Sequence, residues 1–154
     1  MDREADVNEK MQGWVSAVAT PALEQGERIE ISSVASVGTV SLKRRAATAA
    51  VAGVLSGGTL MVAVQPKKFF LALTDRRLLL FPQGMSGKPE QKPAAILSRQ
   101  GLSTSEVKNG LLTAAFELAI EGQEKGLKFV FPLPARADAP VIAAALTGHT
   151  DAAR

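Results

Sequence analysis

FFLALTDRRLLLF, residues 69–81, decides the fold. It sets two apolar runs on either side of Asp75 and Arg76, and aspartate favours the first position of a tight turn. The pattern predicts a hairpin with strands over 69–74 and 77–81, and it leaves Arg76 and Arg77 as exposed turn residues. Upstream, Ile29 and Ile31 alternate with Arg28, Glu30 and Ser32, the period-two pattern of a half-buried strand that runs toward Val37. Downstream, PQGMSGKPEQKP (82–93) is dense in Pro, Gly and polar residues and reads as a solvated loop, followed by a short strand over 94–98.

The second half carries its own turn signals. VKNGLL (107–112) holds an Asn-Gly pair, which suits the two-residue turn of a twisted hairpin. Leu112, Ala114, Phe116, Leu118 and Ile120 then share one face of the outgoing strand, while Thr113, Glu117 and Glu121 share the other. GQEKG (122–126) turns the chain again, and Leu127, Phe129, Phe131 and Leu133 repeat the alternation. This is a three-stranded antiparallel meander. A closing helix follows, capped by Asp138, with Pro140 in its first turn and Val141, Ile142, Ala145 and Leu146 as its apolar stripe. Gly148 is expected to stop it, leaving 149–154 as a frayed tail.

At the other end, Val7, Met11, Trp14, Val15 and Val18 lie on one side of a helix that Pro21 should end. The polar face of this N-terminal amphipathic helix (1–22) is acidic, the wrong sign for anionic lipid. Its stripe, with Met11, Trp14, Val15 and Val18 as the docking residues, therefore points to packing on the parent domain or a partner.

The chain has 154 residues, 46% of them apolar and 21% charged, the composition of a globular chain with one domain's worth of core. A net charge of +3 leans weakly toward anionic partners. With no cysteine, a disulfide framework, a thiolate metal site and a cysteine nucleophile are all excluded. His149 is the only histidine, so a Ser-His-Asp arrangement or a histidine metal site has almost no material. No Gly-rich phosphate loop has the required spacing, and Glu117 with Glu121 reads as a solvated face. The expectation is a protein that is not an enzyme, with no cofactor, metal or small-molecule substrate. Nucleic acid is not expected either, because no aromatic-basic interleaving appears. Nothing at the N-terminus has the design of an export signal, so a cytoplasmic location is expected, peripheral on the inner membrane face if lipid is the partner.

About seven strands and a terminal helix require a sheet that curls on itself, with the helix over an open end. In this order of elements, and in Leu73, Thr74, Asp75, Arg76, Arg77 and Leu78 especially, the chain resembles the bacterial pleckstrin-homology-like and GRAM-like domains. The resemblance spans roughly 24–148 and implies a mainly β, PH-like fold: a curled antiparallel sheet or partly open barrel. It also implies a binding or assembly module, with the loop after the first strand as the place where relatives hold ligands.

That loop is where this chain departs from the simple pattern. Residues 38–66 form a long apolar insert between the first two strands. Lys43, Arg44 and Arg45 precede it, Lys67 and Lys68 follow it, and residues 46–64 hold no charge. As one helix it would be about as long as a bilayer's hydrocarbon core is thick. Yet its strong apolar residues are few, and Gly57-Gly58 offers a turn in the middle, so a hairpin of helices or strands is equally open. Two readings follow. In the first, Val51, Val54, Leu55, Leu60, Met61 and Val62, with the small residues Gly53 and Gly57, engage lipid while the five cations hold anionic headgroups. In the second, the same residues join copies into a homo-oligomer or contact another protein, without membrane binding.

Overall fold

The computed structural model describes residues 2–41, 66–123 and 125–152. Helix α1 (Asp2–Ala19) is followed by strands β1 (Ile29–Ser41), β2 (Lys67–Thr74), β3 (Arg77–Pro82), β4 (Ala95–Ser98), β5 (Leu102–Thr104), β6 (Lys108–Asn109), β7 (Ala114–Ile120) and β8 (Lys125–Phe131), and helix α2 (Asp138–Ala152) closes the chain. The strands form one antiparallel sheet in the order β4-β3-β2-β1-β8-β7-β5, with β6 also on β7. Among the described residues its two outer strands do not meet. This is the mainly β, curled and open architecture that the sequence predicts, with a helix at each end.

The curl comes from β1. Its first part pairs with β2, from Ile29↔Thr74 to Val37↔Lys67, and its last part pairs on the other edge with β8, from Ser36↔Val130 to Ser41↔Lys125. Only Ser36 and Val37 are bonded on both sides. One long strand thus serves two half-sheets, and their inner faces enclose the main core. Ala35, Val37, Leu71, Leu73, Leu78, Leu80, Phe116, Leu118, Leu127, Phe129 and Phe131 fill it, and Ala139, Ile142, Ala143 and Leu146 of α2 seal it. Phe116 stacks on Phe129 at 5.3 Å between ring centroids and lies 5.6 Å from Phe131, contacts that add to the burial of each ring.

The opening stretch is apolar without interruption because β2 and β3 are covered on both faces. Inside lies the main core. Outside, Phe70, Ala72, Leu79 and Phe81 pack beneath Met11, Val15 and Ala19 of α1, with Trp14 and Val18 partly buried at the margin. Trp14 meets the Phe70 ring edge-on at 6.3 Å, and the Lys88 ammonium lies 5.8 Å over the indole.

The hairpin turn between β2 and β3 is tied down by a buried acid. Glu27, whose side chain is fully buried, accepts from Arg77 Nη2 at 2.6 Å and Nε at 3.0 Å, from the Thr74 hydroxyl at 2.6 Å and from the Glu24 amide at 2.8 Å. Arg77 Nη2 also donates to the Ala22 carbonyl at 2.9 Å. Thr74 Oγ1 accepts the amides of Arg76 and Arg77, closing the turn, while Asp75 Oδ1 accepts the Arg28 amide at 2.9 Å. The Arg28 amide bond holds the Asp75 carboxyl below its ordinary range. Arg77 is therefore not the exposed turn residue the sequence suggests; only Arg76 is.

Five other differences have local causes. The first strand does not end near Val37 but continues to Ser41, because β8 offers its edge a second partner. Asn109 pairs directly with Ala114, so the turn after it is the four-residue Gly110–Thr113, closed by Gly110 N–H on the Thr113 carbonyl at 2.7 Å. Leu112 is consequently off the core face and 64% exposed. Leu133 is likewise past the end of β8, in the short 3-10 turn Leu133–Ala135. In α2 the buried stripe is Ala139, Ile142, Ala143 and Leu146, with Val141 facing out, and the helix continues through Gly148 to Ala152.

The Glu27 cluster yields a pH dependence. The Arg77 bonds, reinforced by Thr74 and the Glu24 amide against the opposing effect of burial, lower its pKa from 4.5 to about 2. A depressed carboxyl pKa stabilises the fold fully above the unfolded value and loses that stabilisation as pH falls toward the folded one. The linkage is worth roughly 3 kcal/mol, lost between about pH 4.5 and 2. Glu27→Gln should lower stability at pH 7 by about 3 kcal/mol and flatten the stability profile across that acid window, read by urea unfolding at stepped pH.

Candidate functional site

The end of the sheet where β1 finishes and β2 begins collects the features of a contact surface. Pro66, Lys67 and Lys68 are exposed there, immediately after the insert. The chain returns close over β1: a Cβ on Gly38 would stand 3.2 Å from Pro66 Cα and 3.3 Å from its nitrogen. Gly38 therefore lets Pro66 lie close against β1. Its rung partner is Lys128, exposed on β8, and Lys128 in turn faces Glu117 of β7.

The loop between β3 and β4 lies beside this end, because the Gln83 amide donates to the Lys68 carbonyl at 3.2 Å. It is more ordered than its composition suggests. Gln83 bridges Pro89, Gly84 N–H donates to the Lys88 carbonyl at 2.7 Å, and Gly87 N–H closes a turn onto the Gly84 carbonyl at 3.0 Å. Gly87 has φ of +90°, a conformation that glycine adopts without strain. The turn holds Met85 at its apex, fully exposed to solvent. Lys88 and Lys92 add positive charge to this loop, and Glu90 offsets part of it. The Gly84–Gly87 spacing was the available sequence signal for this turn; that its base at Gln83 is bonded to Lys68 is a tertiary fact that no local pattern carries.

Of the sequence-derived candidates, Lys67 and Lys68 are thus at the root of the insert. Lys43, Arg44, Arg45, Val51, Gly53, Val54, Leu55, Gly57, Leu60, Met61 and Val62 lie outside the described residues. Met11, Trp14, Val15 and Val18 are on the face of α1 that meets β2 and β3. Arg76 is at the opposite end of β2, 3.5 Å from Glu24. Sequence reasoning missed Arg99 altogether. Its nearly buried guanidinium donates to Glu30 Oε1 at 2.9 Å, to the Thr74 carbonyl at 2.7 Å and to the Ala145 carbonyl at 2.9 Å, joining the hairpin to α2. Glu30 is free to meet it because the β1–β2 register shifts between Ile29 and Ile31.

Among the described residues no group of three His, Cys, Asp or Glu side chains is placed to hold a metal ion, and no helix is long and apolar enough to cross a membrane. No protein-family model matches the chain, and no curated protein matches it in sequence. Among solved structures, it is similar to the pleckstrin homology domain from Shewanella amazonensis SB2B, with a TM-score of 0.45 and 16% identity, over 86% of this chain and 94% of that one.

The close approach at Gly38 can be tested directly. Gly38→Val should force Pro66 off the sheet and destabilise the protein by about 1–3 kcal/mol in urea unfolding, while Gly38→Ala should cost less than about 1 kcal/mol.

Proposed function

We propose that this protein is a non-catalytic, PH-like binding module that attaches to the anionic inner face of a membrane through the 43–68 insert. The observation that carries the reading is the convergence at one end of the sheet. An uncharged stretch flanked by cations leaves and rejoins the domain there, beside exposed Lys67 and Lys68 and the Met85 turn. In this mechanism Lys43, Arg44, Arg45, Lys67 and Lys68 meet headgroups, each contributing on the order of 1 kcal/mol near an anionic leaflet. Val51, Val54, Leu55, Leu60, Met61 and Val62 enter the acyl boundary, and Met85 adds an apolar contact beside them. Individual Val and Leu side chains gain only about 0.3 to 0.6 kcal/mol on insertion, so charge and burial act together.

The same insert could join copies of the chain instead, and one experiment separates the two uses. The full chain is sedimented with phosphatidylcholine vesicles, with and without an anionic phospholipid, and its lipid-free mass is measured by light scattering. Binding that needs the anionic lipid, weakens with added salt and is lost on removing residues 46–64 is the expected result. Lys67→Ala/Lys68→Ala should fold normally and weaken vesicle binding roughly thirtyfold, two headgroup contacts' worth. A discrete oligomer that ignores vesicles and falls to monomer without residues 46–64 would overturn the membrane reading.

A further inference from the structure

The loop between β3 and β4 carries an amphipathic feature of its own, made with α1 and separate from the insert. Met85 stands fully exposed at the apex of the turn that Gly87 closes onto Gly84. Three residues on, the Lys88 ammonium lies 5.8 Å over the Trp14 indole. That ring is half-buried at the margin of α1, edge-on to Phe70 at 6.3 Å. The Lys88 carbonyl is fixed by Gly84 N–H at 2.7 Å, so turn, lysine and indole form one braced unit across two elements. Among the described residues Lys88 forms no ion pair. An indole face occupies one side of an ammonium and leaves N–H donors for another acceptor.

We infer that Met85, Lys88 and Trp14 form a second lipid contact: Met85 enters the acyl boundary of an anionic leaflet, Lys88 donates to a lipid phosphate, and the exposed margin of the Trp14 ring lies at headgroup depth. The inference rests on the membrane reading of the insert and adds α1 to the surface that meets the bilayer. Charge, composition and position all favour lipid as the occupant. The loop's exposed cations, Lys88 and Lys92, outnumber its one carboxylate, Glu90, which is the balance an anionic leaflet attracts. An apolar tip with an ammonium and an indole behind it follows the depth order of a bilayer interface, where tryptophan is favoured at headgroup level. The base of the loop is bonded to the strand at which the insert rejoins, through the Gln83 amide and the Lys68 carbonyl at 3.2 Å, so the two contacts belong to one surface. Because the indole holds Lys88 before lipid arrives, little side-chain freedom is lost on binding. Two points of attachment also fix how the domain is tilted on the membrane, where a single one would let it swivel.

Trp14 is the only tryptophan, so its fluorescence reports on this contact alone. The full chain is titrated with vesicles of phosphatidylcholine and phosphatidylglycerol, the phosphatidylcholine either plain or brominated near the top of its acyl chains, and sedimented with the same vesicles. The expected result is sedimentation together with quenching of Trp14 by the brominated lipid. Lys88→Gln should weaken vesicle binding about fivefold, one headgroup contact's worth, and Met85→Asp at least about fivefold. Both variants should keep the melting temperature within about 3 °C of the parent, as solvent-facing changes do. Sedimentation without quenching, or with either variant binding as the parent does, overturns this inference and leaves the insert reading standing. A chain that does not sediment with these vesicles overturns both.

Discussion

The buried carboxylate of Glu27 is the constraint on which the arrangement of this domain depends. An acid with no solvent contact is stable only if its negative charge is met on every side. Here the answer comes from four donors on three segments: the turn after α1, the end of β2 and the start of β3. Satisfying Glu27 therefore fixes three things together. The β2–β3 hairpin is closed through Thr74, the entry to β1 is aligned through Arg28 and Asp75, and the chain leaving α1 is held through the Ala22 carbonyl. Replacing the ion pair with apolar residues would fill the space but would not specify that alignment.

With the hairpin so placed, the two faces of β2 and β3 have different roles. The inner face joins the core that α2 seals, and the outer face forms a platform for α1. Arg99 ties the far side of this arrangement by linking the end of β4 to Glu30, Thr74 and a carbonyl of α2. The turn of the central hairpin is thereby gripped from both sides, by Glu27 and by Arg99, and the end where the insert departs is left open.

The sequence revealed the elements that obey a local period. Ile29 and Ile31 marked β1, the alternation from Ala114 to Ile120 marked β7, and the stripe of Met11, Trp14, Val15 and Val18 marked α1. What it concealed was decided by partners distant in the chain. Leu112 and Leu133 match the alternating pattern, but they fall two residues past the last bonded rung, Ala114↔Phe131, and are exposed there. Arg77 looks like any polar turn residue until Glu27, fifty positions away, is placed beside it. Of the candidate site, Lys67 and Lys68 were legible as the cations that close an uncharged stretch. The neighbouring Met85 turn was not, because its nearness to Lys68 is created by the β2–β3 pairing.

The passage of Pro66 over Gly38 also bears on how freely the insert can vary. The chain leaves β1 and comes back within a few residues' length of the point of departure, so the frame closes a loop whose ends it already holds together. Closure entropy grows only with the logarithm of loop length, about 0.6 kcal/mol for each doubling. Lengthening or shortening the segment between Ser41 and Pro66 therefore changes the stability of the frame very little. The insert is in this sense a cassette: the sheet supplies the mounting, and its length and composition are free to vary with little effect on the frame.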